Sequence, residues 1–140
     1  MFLLDTNVVS ELRRPDRADP VVFSWAESLP IEQFFLSAIT ILELQRGALL
    51  AERKDKAFGQ LLRSWIDQIV LPRFAGRILS VDQSVALRCA ELHVPNTRPD
   101  RDALIAATAL VHGLTVATRN VRDLEPVGVP VFNPWQPQAA

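Results

Sequence analysis

The chain has 140 residues, of which 49% are hydrophobic and 22% are charged. This composition is that of an ordinary globular protein, and it excludes the disordered, collagen-like and coiled-coil classes. With 15 basic and 16 acidic residues, the net charge is −1, so no overall positive field attracts nucleic acid or a membrane, and any contact with a polyanion must be local.

Length, cysteine content and the N-terminus set further bounds. A chain of this size has room for one hydrophobic core, so we expect a single domain over residues 1–140. Cys89 is the only cysteine, which excludes an internal disulfide and a cysteine-based metal cluster. Asp5 lies where a signal peptide needs apolar residues, and no apolar stretch reaches the roughly 20 residues that span a bilayer. We therefore expect a soluble, cytoplasmic protein without membrane contact.

The first third of the chain predicts two strands, each followed by a helix. Residues 2–4 are apolar and are followed by Asp5, a residue type that caps helices. A short helix should begin at Pro20 behind Asp19. A second apolar run at 34–36 precedes Thr40 and Glu43, which have the spacing of a capping box and predict a helix that ends near Leu50.

The rest of the chain continues the alternation. Apolar residues between 58 and 69 recur at steps of three and four, which predicts an amphipathic helix. Asp82 should cap another helix, and residues 103–111 should form a buried helix that ends at Gly113. Further short strands are predicted at 78–79, 115–118 and 129–132. Short buried strands that alternate with helices indicate an α/β fold with a central, mainly parallel sheet covered on both faces.

Carboxylates follow several of these strands. In a parallel α/β sheet, ligands bind beyond the carboxyl ends of the strands. Four carboxylates from distant parts of the sequence are predicted at that edge: Asp5, Glu43, Asp102 and Asp123. Each also has a purely structural interpretation, because Asp5 and Glu43 suit helix capping, Asp102 suits a helix N-terminus and Asp123 suits a solvated turn.

The convergence of the four favours a metal site. Carboxylates that lie close together repel one another and raise one another's pKa values, and a bound divalent cation removes that repulsion. Ligands that are all oxygens indicate Mg²⁺ or Mn²⁺ rather than zinc. Such an ion can position a water molecule for attack on a phosphodiester and offset charge on the leaving oxygen.

Two further groups of polar residues are predicted near this edge. Uncharged side chains that suit the binding of water or a phosphate oxygen are Thr6, Asn7, Thr118 and Asn120. Candidates for contacts with RNA phosphates are Arg46, Arg119 and Arg122, although arginines are also common on solvated surfaces.

Four segments together resemble the signature of the PIN-domain family, and in particular of its VapC-type toxin ribonucleases. They are Leu3-Leu4-Asp5-Thr6-Asn7-Val8, Ser37-x-x-Thr40-x-x-Glu43-Leu44-x-x-Gly47, Asp102-Ala103-Leu104-Ile105-Ala106-Ala107-Thr108-Ala109 and Thr118-Arg119-Asn120-x-x-Asp123. The resemblance covers nearly the whole chain. Leu124 departs from the pattern, since the family often has an aromatic residue there.

The resemblance implies a three-layer α/β/α sandwich, cleavage of RNA that depends on Mg²⁺ or Mn²⁺, a homodimer, and inhibition by a VapB-type antitoxin. The antitoxin's C-terminal segment is expected to lie over the acidic groove. By position, Asp5, Glu43, Asp102 and Asp123 match the family's catalytic acids, with Asp5, Asp102 and Asp123 as metal ligands. Thr6, Thr118 and Asn120 match its polar accessory residues. The family pattern favours Asp102 over the nearby Asp100, which we expect to cap the helix.

Other functions are less well supported by the residues. A haloacid-dehalogenase-type phosphatase would need an aspartate at Asn7, and a receiver domain would need a late lysine, whereas no lysine follows Lys56. The remaining alternative is a catalytically silent PIN-like module that binds RNA or protein. We also consider the region around Val21-Val22-Phe23 and Trp25 as an apolar surface for the antitoxin.

Overall fold

A computed structural model describes residues 1–137 of the chain. Over this range it contains a sheet of five strands: Phe2–Leu4 (β1), Phe34–Ser37 (β2), Ile78–Leu79 (β3), Thr115–Ala117 (β4) and Val131–Phe132 (β5). The spatial order is β3-β2-β1-β4-β5, and every neighbouring pair is parallel. The predicted α/β fold with a parallel sheet is therefore confirmed.

Helices connect the strands and cover the sheet. The α-helices are Thr6–Glu11 (α1), Pro20–Glu27 (α2), Ala38–Lys54 (α3), Lys56–Trp65 (α4), Leu71–Arg73 (α5), Gln83–Leu92 (α6), Asp100–His112 (α7) and Val121–Leu124 (α8). Single turns of 3₁₀-helix at Ile31–Gln33 and Glu125–Val127, and a π-helical turn at Ile66–Val70, complete them. Within the described part of the chain, none of the helices has both the length and the apolar character needed to cross a membrane.

The central strand β1 contributes to two separate hydrophobic cores. Leu3 is completely buried in a cluster with Val85 of α6 and Ile105 of α7. The next residue, Leu4, belongs to a second cluster with Val8 of α1. Successive strand residues point to opposite faces of a sheet, so the sequence of β1 requires a helical layer on each face. The expected three-layer architecture is confirmed.

Helix α3 begins earlier than the capping-box pattern predicts. Its cap is Ser37, whose hydroxyl accepts a hydrogen bond from the backbone N–H of Ile39 at 3.0 Å, and the helix continues to Lys54. Thr40 therefore lies inside the helix and is completely buried. The predicted Thr40–Glu43 capping box is wrong, because a serine three residues upstream already caps the helix.

Helices α3 and α4 form a tightly packed hairpin. A Cβ atom on Gly59 would lie 2.3 Å from the Cα atom of Glu52, so only glycine permits this approach. The predicted amphipathic helix over 58–69 is present as α4 and the π-helical turn. Its apolar stripe is not all buried, however, since Leu61 and Ile69 remain 53% and 48% exposed.

The apolar surface predicted around Val22 and Trp25 is present only in part: Val21 is exposed, and Phe23 and Trp25 line a largely apolar cleft. Val22 is completely buried. The ring of Trp25 lies 5.2 Å from the rings of Phe2, Phe34 and Phe132. Val22 and the ring of Trp25 thus serve the packing of α2 on the sheet, so Val22 itself offers no surface, while contact of this region with an antitoxin stays a prediction.

Candidate active site

The carboxyl end of β1 places Asp5 between two neighbouring elements. Its Oδ1 accepts a hydrogen bond from the backbone N–H of Thr6 at 2.8 Å, which makes Asp5 the N-cap of α1. Its Oδ2 accepts a hydrogen bond from the hydroxyl of Thr118 at 2.8 Å. Thr118 is completely buried just beyond β4. Asp5 thus both caps α1 and lies at the carboxyl edge of the sheet.

Glu43 reaches the same edge from α3. The hydroxyl of Thr6 donates a hydrogen bond to Glu43 Oε1 at 2.7 Å, and the same hydroxyl lies 3.5 Å from that of Thr40. This contact across α1 and α3 replaces the local contact that a capping box would have made. Thr6 therefore fixes one oxygen of Glu43 at the site.

Asp102 and Asp123 approach the edge from the other side. Asp102 lies in the first turn of α7, where the positive end of the helix dipole favours a carboxylate. Asp123 lies in α8, so its predicted place in a loop is wrong, because residues 121–124 form a short helical turn. The two carboxylates line a common cleft of about 380 Å³.

The four carboxylates act on one another electrostatically. Burial raises the pKa of Asp5; hydrogen bonds from Thr118 and Thr6 oppose this rise, and the charges of Glu43 and Asp102 add to it. Burial also raises the pKa of Asp102, and the charges of Asp123 and Glu43 raise it further against a weaker opposing effect of Arg101. Asp5 and Asp102 are therefore each within electrostatic reach of Glu43 and of each other, and Asp123 is within reach of Asp102.

The donor set is compatible with a hard divalent cation. Each of the four side chains offers carboxylate oxygens, and within residues 1–137 none of them forms an ion pair with a lysine or arginine. Among these residues, no group of three or more aspartate, glutamate, histidine or cysteine side chains already has the geometry to hold a metal ion. Asp5 and Glu43 accept hydrogen bonds from the hydroxyls of Thr118 and Thr6.

The neighbouring Asp100 differs from Asp102 in its surroundings. Its side chain is 88% exposed, and its Oδ1 lies 3.4 Å from Nε2 of His93. Asp100 is the first residue of α7 and makes no capping hydrogen bond, because the cap position belongs to Pro99. The expectation that Asp100 caps the helix is wrong, while the geometry favours Asp102 as the residue of the acidic site.

The uncharged accessory residues lie between these elements. Asn7 Nδ2 is 3.5 Å from Asp5 Oδ2 and 3.4 Å from the hydroxyl of Thr118. The backbone N–H of Asn120 donates to the same hydroxyl at 3.0 Å, and the Asn120 side chain does not cap α8. Thr6, Asn7 and Thr118 thus hold the carboxylates, whereas Asn120 contributes through its backbone.

The predicted arginines line clefts that border the acidic site. Arg46 lines one together with Glu43 and Asp102. Arg122 lines another with Asp123. Arg119 donates its backbone N–H to Asn7 Oδ1 at 3.4 Å, and its guanidinium lies 5.1 Å from the ring centre of Trp135.

Sequence reasoning missed other arginines near the site. Arg98 and Arg101 line the clefts of Asp123 and Glu43, and Arg13, Arg14 and Arg17 line a cleft beside Asn7. The last three follow α1 in the basic run Arg13-Arg14-Pro15-Asp16-Arg17, which is the signal that could have identified them.

A parallel five-stranded sheet with acids at its carboxyl edge is the architecture expected of the PIN domain, and the family model for the PIN domain matches residues 2–127. The chain belongs to the PIN-domain family.

The chain is similar to several known proteins over almost its entire length. Toxin FitB from Neisseria gonorrhoeae is 45% identical, with 96% of this chain and 99% of that protein covered. VapC ribonuclease Y4jK from Sinorhizobium fredii is 38% identical, with 98% and 99% covered. The crystal structure of FitAcB from Neisseria gonorrhoeae has a TM-score of 0.87 at 41% identity, covering 96% and 99% of the two chains. A toxin–antitoxin complex from Klebsiella pneumoniae has a TM-score of 0.69 at 30% identity, covering 96% and 98%.

Proposed function

We propose that this chain is the ribonuclease toxin of a toxin–antitoxin pair and that it hydrolyses RNA phosphodiester bonds at Asp5, Glu43, Asp102 and Asp123. The observation that carries the proposal is the set of carboxylates that converge on one edge of the sheet. Burial and neighbouring carboxylates raise the pKa values of Asp5 and Asp102, a perturbation that is concentrated at functional sites. The similarity to a VapC ribonuclease supports RNA as the substrate.

Asp5, Asp102 and Asp123 would hold Mg²⁺, for which Mn²⁺ would substitute. Their oxygens suit a hard cation, and the positive charge would relieve the repulsion that raises their pKa values. When bound, such an ion supplies charge stabilisation at the phosphate and lowers the pKa of water.

The protein's own residues orient the reacting groups. Thr118 and the backbone of Thr6 fix the two oxygens of Asp5, and the Thr6 hydroxyl fixes Oε1 of Glu43. The second oxygen of Glu43, Oε2, would take a proton from the attacking water. Arg46, Arg119 and Arg122, on the bordering clefts, would bind RNA phosphates.

The proposed partners follow from the family. We infer a homodimer, an inhibitory VapB-type antitoxin whose C-terminal segment covers the acidic site, and one nuclease unit formed by residues 1–140. Similarity to a chain of a solved toxin–antitoxin complex supports an antitoxin partner. Because the substrate is RNA, we place the activity in the cytoplasm.

The test compares cleavage and metal binding in matched variants. Purified protein is incubated with RNA in Mg²⁺ or Mn²⁺, with and without a chelator, and products are separated on a gel. Glu43→Gln should abolish cleavage, whereas Glu52→Gln, near the other end of the same helix where the side chain pairs with Arg63 at 3.2 Å, should leave it unchanged. In parallel, Mn²⁺ should raise the Tm of the wild type, because an ion that binds only the folded state stabilises it by about 2.7 kcal/mol at 100 times its Kd.

The alternative function is a catalytically silent module that binds RNA or protein. Binding of RNA without cleavage in any divalent ion, together with an unchanged Tm, would establish that alternative and contradict the nuclease proposal. Cleavage that continues in the chelator would contradict the role of the metal.

A further inference from the structure

A second polar cleft lies beside the acidic site, on the other side of Asn7. It has a volume of about 380 Å³, and we call it the arginine cleft after the residues that line it, Asn7, Arg13, Arg14, Arg17, Arg119 and Trp135. Asn7 belongs to both places, since its amide nitrogen lies 3.5 Å from Asp5 and its amide oxygen accepts from the backbone of Arg119 at 3.4 Å. The two sites therefore adjoin through one side chain.

The positive charge of the arginine cleft is largely uncompensated. Over residues 1–137, Arg13, Arg17 and Arg119 form no ion pair, and Arg14 pairs only with the exposed Asp16 at 3.1 Å. Glu11 also lines the cleft and offsets part of this charge, but the four arginines leave an excess of positive charge there. A concave surface lined mainly by one sign of charge produces a local positive potential, even in a chain whose net charge is −1.

Two of the arginines are held in position by aromatic rings. The guanidinium of Arg119 lies 5.1 Å from the ring centre of Trp135, and that of Arg13 lies 5.8 Å from the ring centre of Phe58. A guanidinium stacked on a ring keeps the N–H groups at its edge available for a planar, bidentate contact. Less side-chain freedom is then lost when an anion binds.

We propose that the arginine cleft binds the backbone phosphates of single-stranded RNA next to the cleaved bond. The strand would leave the acidic site over Asn7 and enter the cleft. This inference rests on the proposed function, since it assigns the path of the substrate at that site. Four carboxylates repel a polyanion, and adjoining arginines offset this repulsion and hold the strand.

Single-stranded rather than duplex RNA suits the recess. Asp5 and Thr118 lie below the surface between α1 and β4, and Thr118 is completely buried. A flexible strand can bend a phosphate into such a recess and continue into the adjoining cleft, whereas a rigid duplex presents its phosphates along a regular surface.

The test measures RNA binding rather than cleavage. A short labelled single-stranded RNA of mixed sequence is titrated with the full-length protein in chelator, so that the strand stays intact, at several salt concentrations. The variant Arg14→Gln/Arg17→Gln is compared with Arg53→Gln/Arg88→Gln, which has the same net charge but places its changes at the end of α3 and on α6. The variant Arg14→Lys/Arg17→Lys preserves the charge of the cleft.

The cleft variant should lower the slope of log Kd against log salt by about 1.4, because each phosphate contact to a single strand contributes about 0.7. If the wild type and the cleft variant have the same Kd at 1 M salt, the Kd of the variant should be about 25-fold higher at 0.1 M. The lysine variant should keep the wild-type slope, and the matched control should keep both slope and affinity.

Several results would overturn the proposal. One is a cleft variant that binds RNA as the matched control does. Another is a cleft variant that keeps RNA binding but loses a protein partner, because the cleft would then be a protein interface. Cleavage in Mn²⁺ is scored separately: a wild type that binds RNA through the cleft but never cuts it would refute the proposed nuclease function and leave the cleft assignment standing.

Discussion

Burial has opposite effects in the hydrophobic core and in the acidic site, although both are built on the same strand. Leu3 is completely buried, and the removal of its side chain from water stabilises the fold. Two residues later, burial raises the pKa of Asp5, which means that the charged form is destabilised there. A stabilising residue in β1 is therefore followed closely by a residue whose charged form burial destabilises.

This contrast explains how the acids are held. The core clusters on both faces of the sheet fix the strand ends, and hydrogen bonds from Thr6 and Thr118 then orient the carboxylates. Substitutions in the two regions should consequently have different effects on the free energy of unfolding. Core substitutions should lower stability, whereas neutral substitutions in the acidic site should remove activity without unfolding the protein.

The largest effect expected is on cleavage, at Asp102. Asp102→Asn removes a charge that acts on Asp5, and we expect the rate to fall by about 10³-fold or more, which corresponds to roughly 4 kcal/mol of transition-state stabilisation. Asp100→Asn, two residues earlier at a side chain that is 88% exposed, should change the rate only a few-fold. Single-turnover cleavage assays compare them, and equal losses in both variants would refute the choice of Asp102.

The next largest effect is on stability, and it comes from a substitution in the hydrophobic core. Leu3→Ala should lower the free energy of unfolding by about 2–5 kcal/mol, because the side chain is completely buried and leaves a cavity. Leu61→Ala, at a leucine that is 53% exposed on α4, should stay within about 0.5 kcal/mol of the wild type. Urea denaturation measures both, and a comparable loss at Leu61 would mean that this face is covered in solution.

The sequence predicts the fold and the acids for a simple physical reason. A parallel sheet brings the ends of its strands to one edge, so the polar residues that follow apolar runs must meet there. Asp5 is the clearest case, because the same residue type is needed to cap α1 and to line the site. This inference required no knowledge of side-chain contacts.

What could not be predicted depends on contacts between elements. Thr40 and Glu43 fit a local capping box, but Ser37 caps the helix and Glu43 turns to Thr6 on another element. The periodicity of α4 predicts a helix, but not that Gly59 would bring it against α3 and leave Leu61 exposed. Local patterns specify elements, whereas the partner of a side chain is decided when the elements pack.

A smaller effect is expected at Thr118, which lies between the hydrophobic core and the acidic site. Thr118 is buried like a core residue, yet its hydroxyl donates to Asp5 and accepts from the backbone of Asn120. Thr118→Val should cost about 1–3 kcal/mol, since it leaves these buried partners unsatisfied. The lost hydrogen bond should also raise the pKa of Asp5 further, so the acidic limb of the cleavage profile should move to higher pH. Thr115→Val, at the other end of β4, should move neither the stability curve nor the pH profile.

The smallest effect is a gain in stability at Asp5. Because burial and the charges of Glu43 and Asp102 raise its pKa above the ordinary 3.8, its contribution to stability is fully present only below that value and is lost as the pH rises through the folded-state pKa. At pH 7 without metal, Asp5→Asn should therefore raise the Tm by roughly 2–4 °C, which is about 1 kcal/mol for a chain of this size, and asparagine should still cap α1. The gain should shrink as the pH falls towards 4, and Mn²⁺ should reverse the order by stabilising only the wild type. Asp19→Asn at the cap of α2 is the matched control, and an equal gain there would show that capping rather than charge repulsion is responsible.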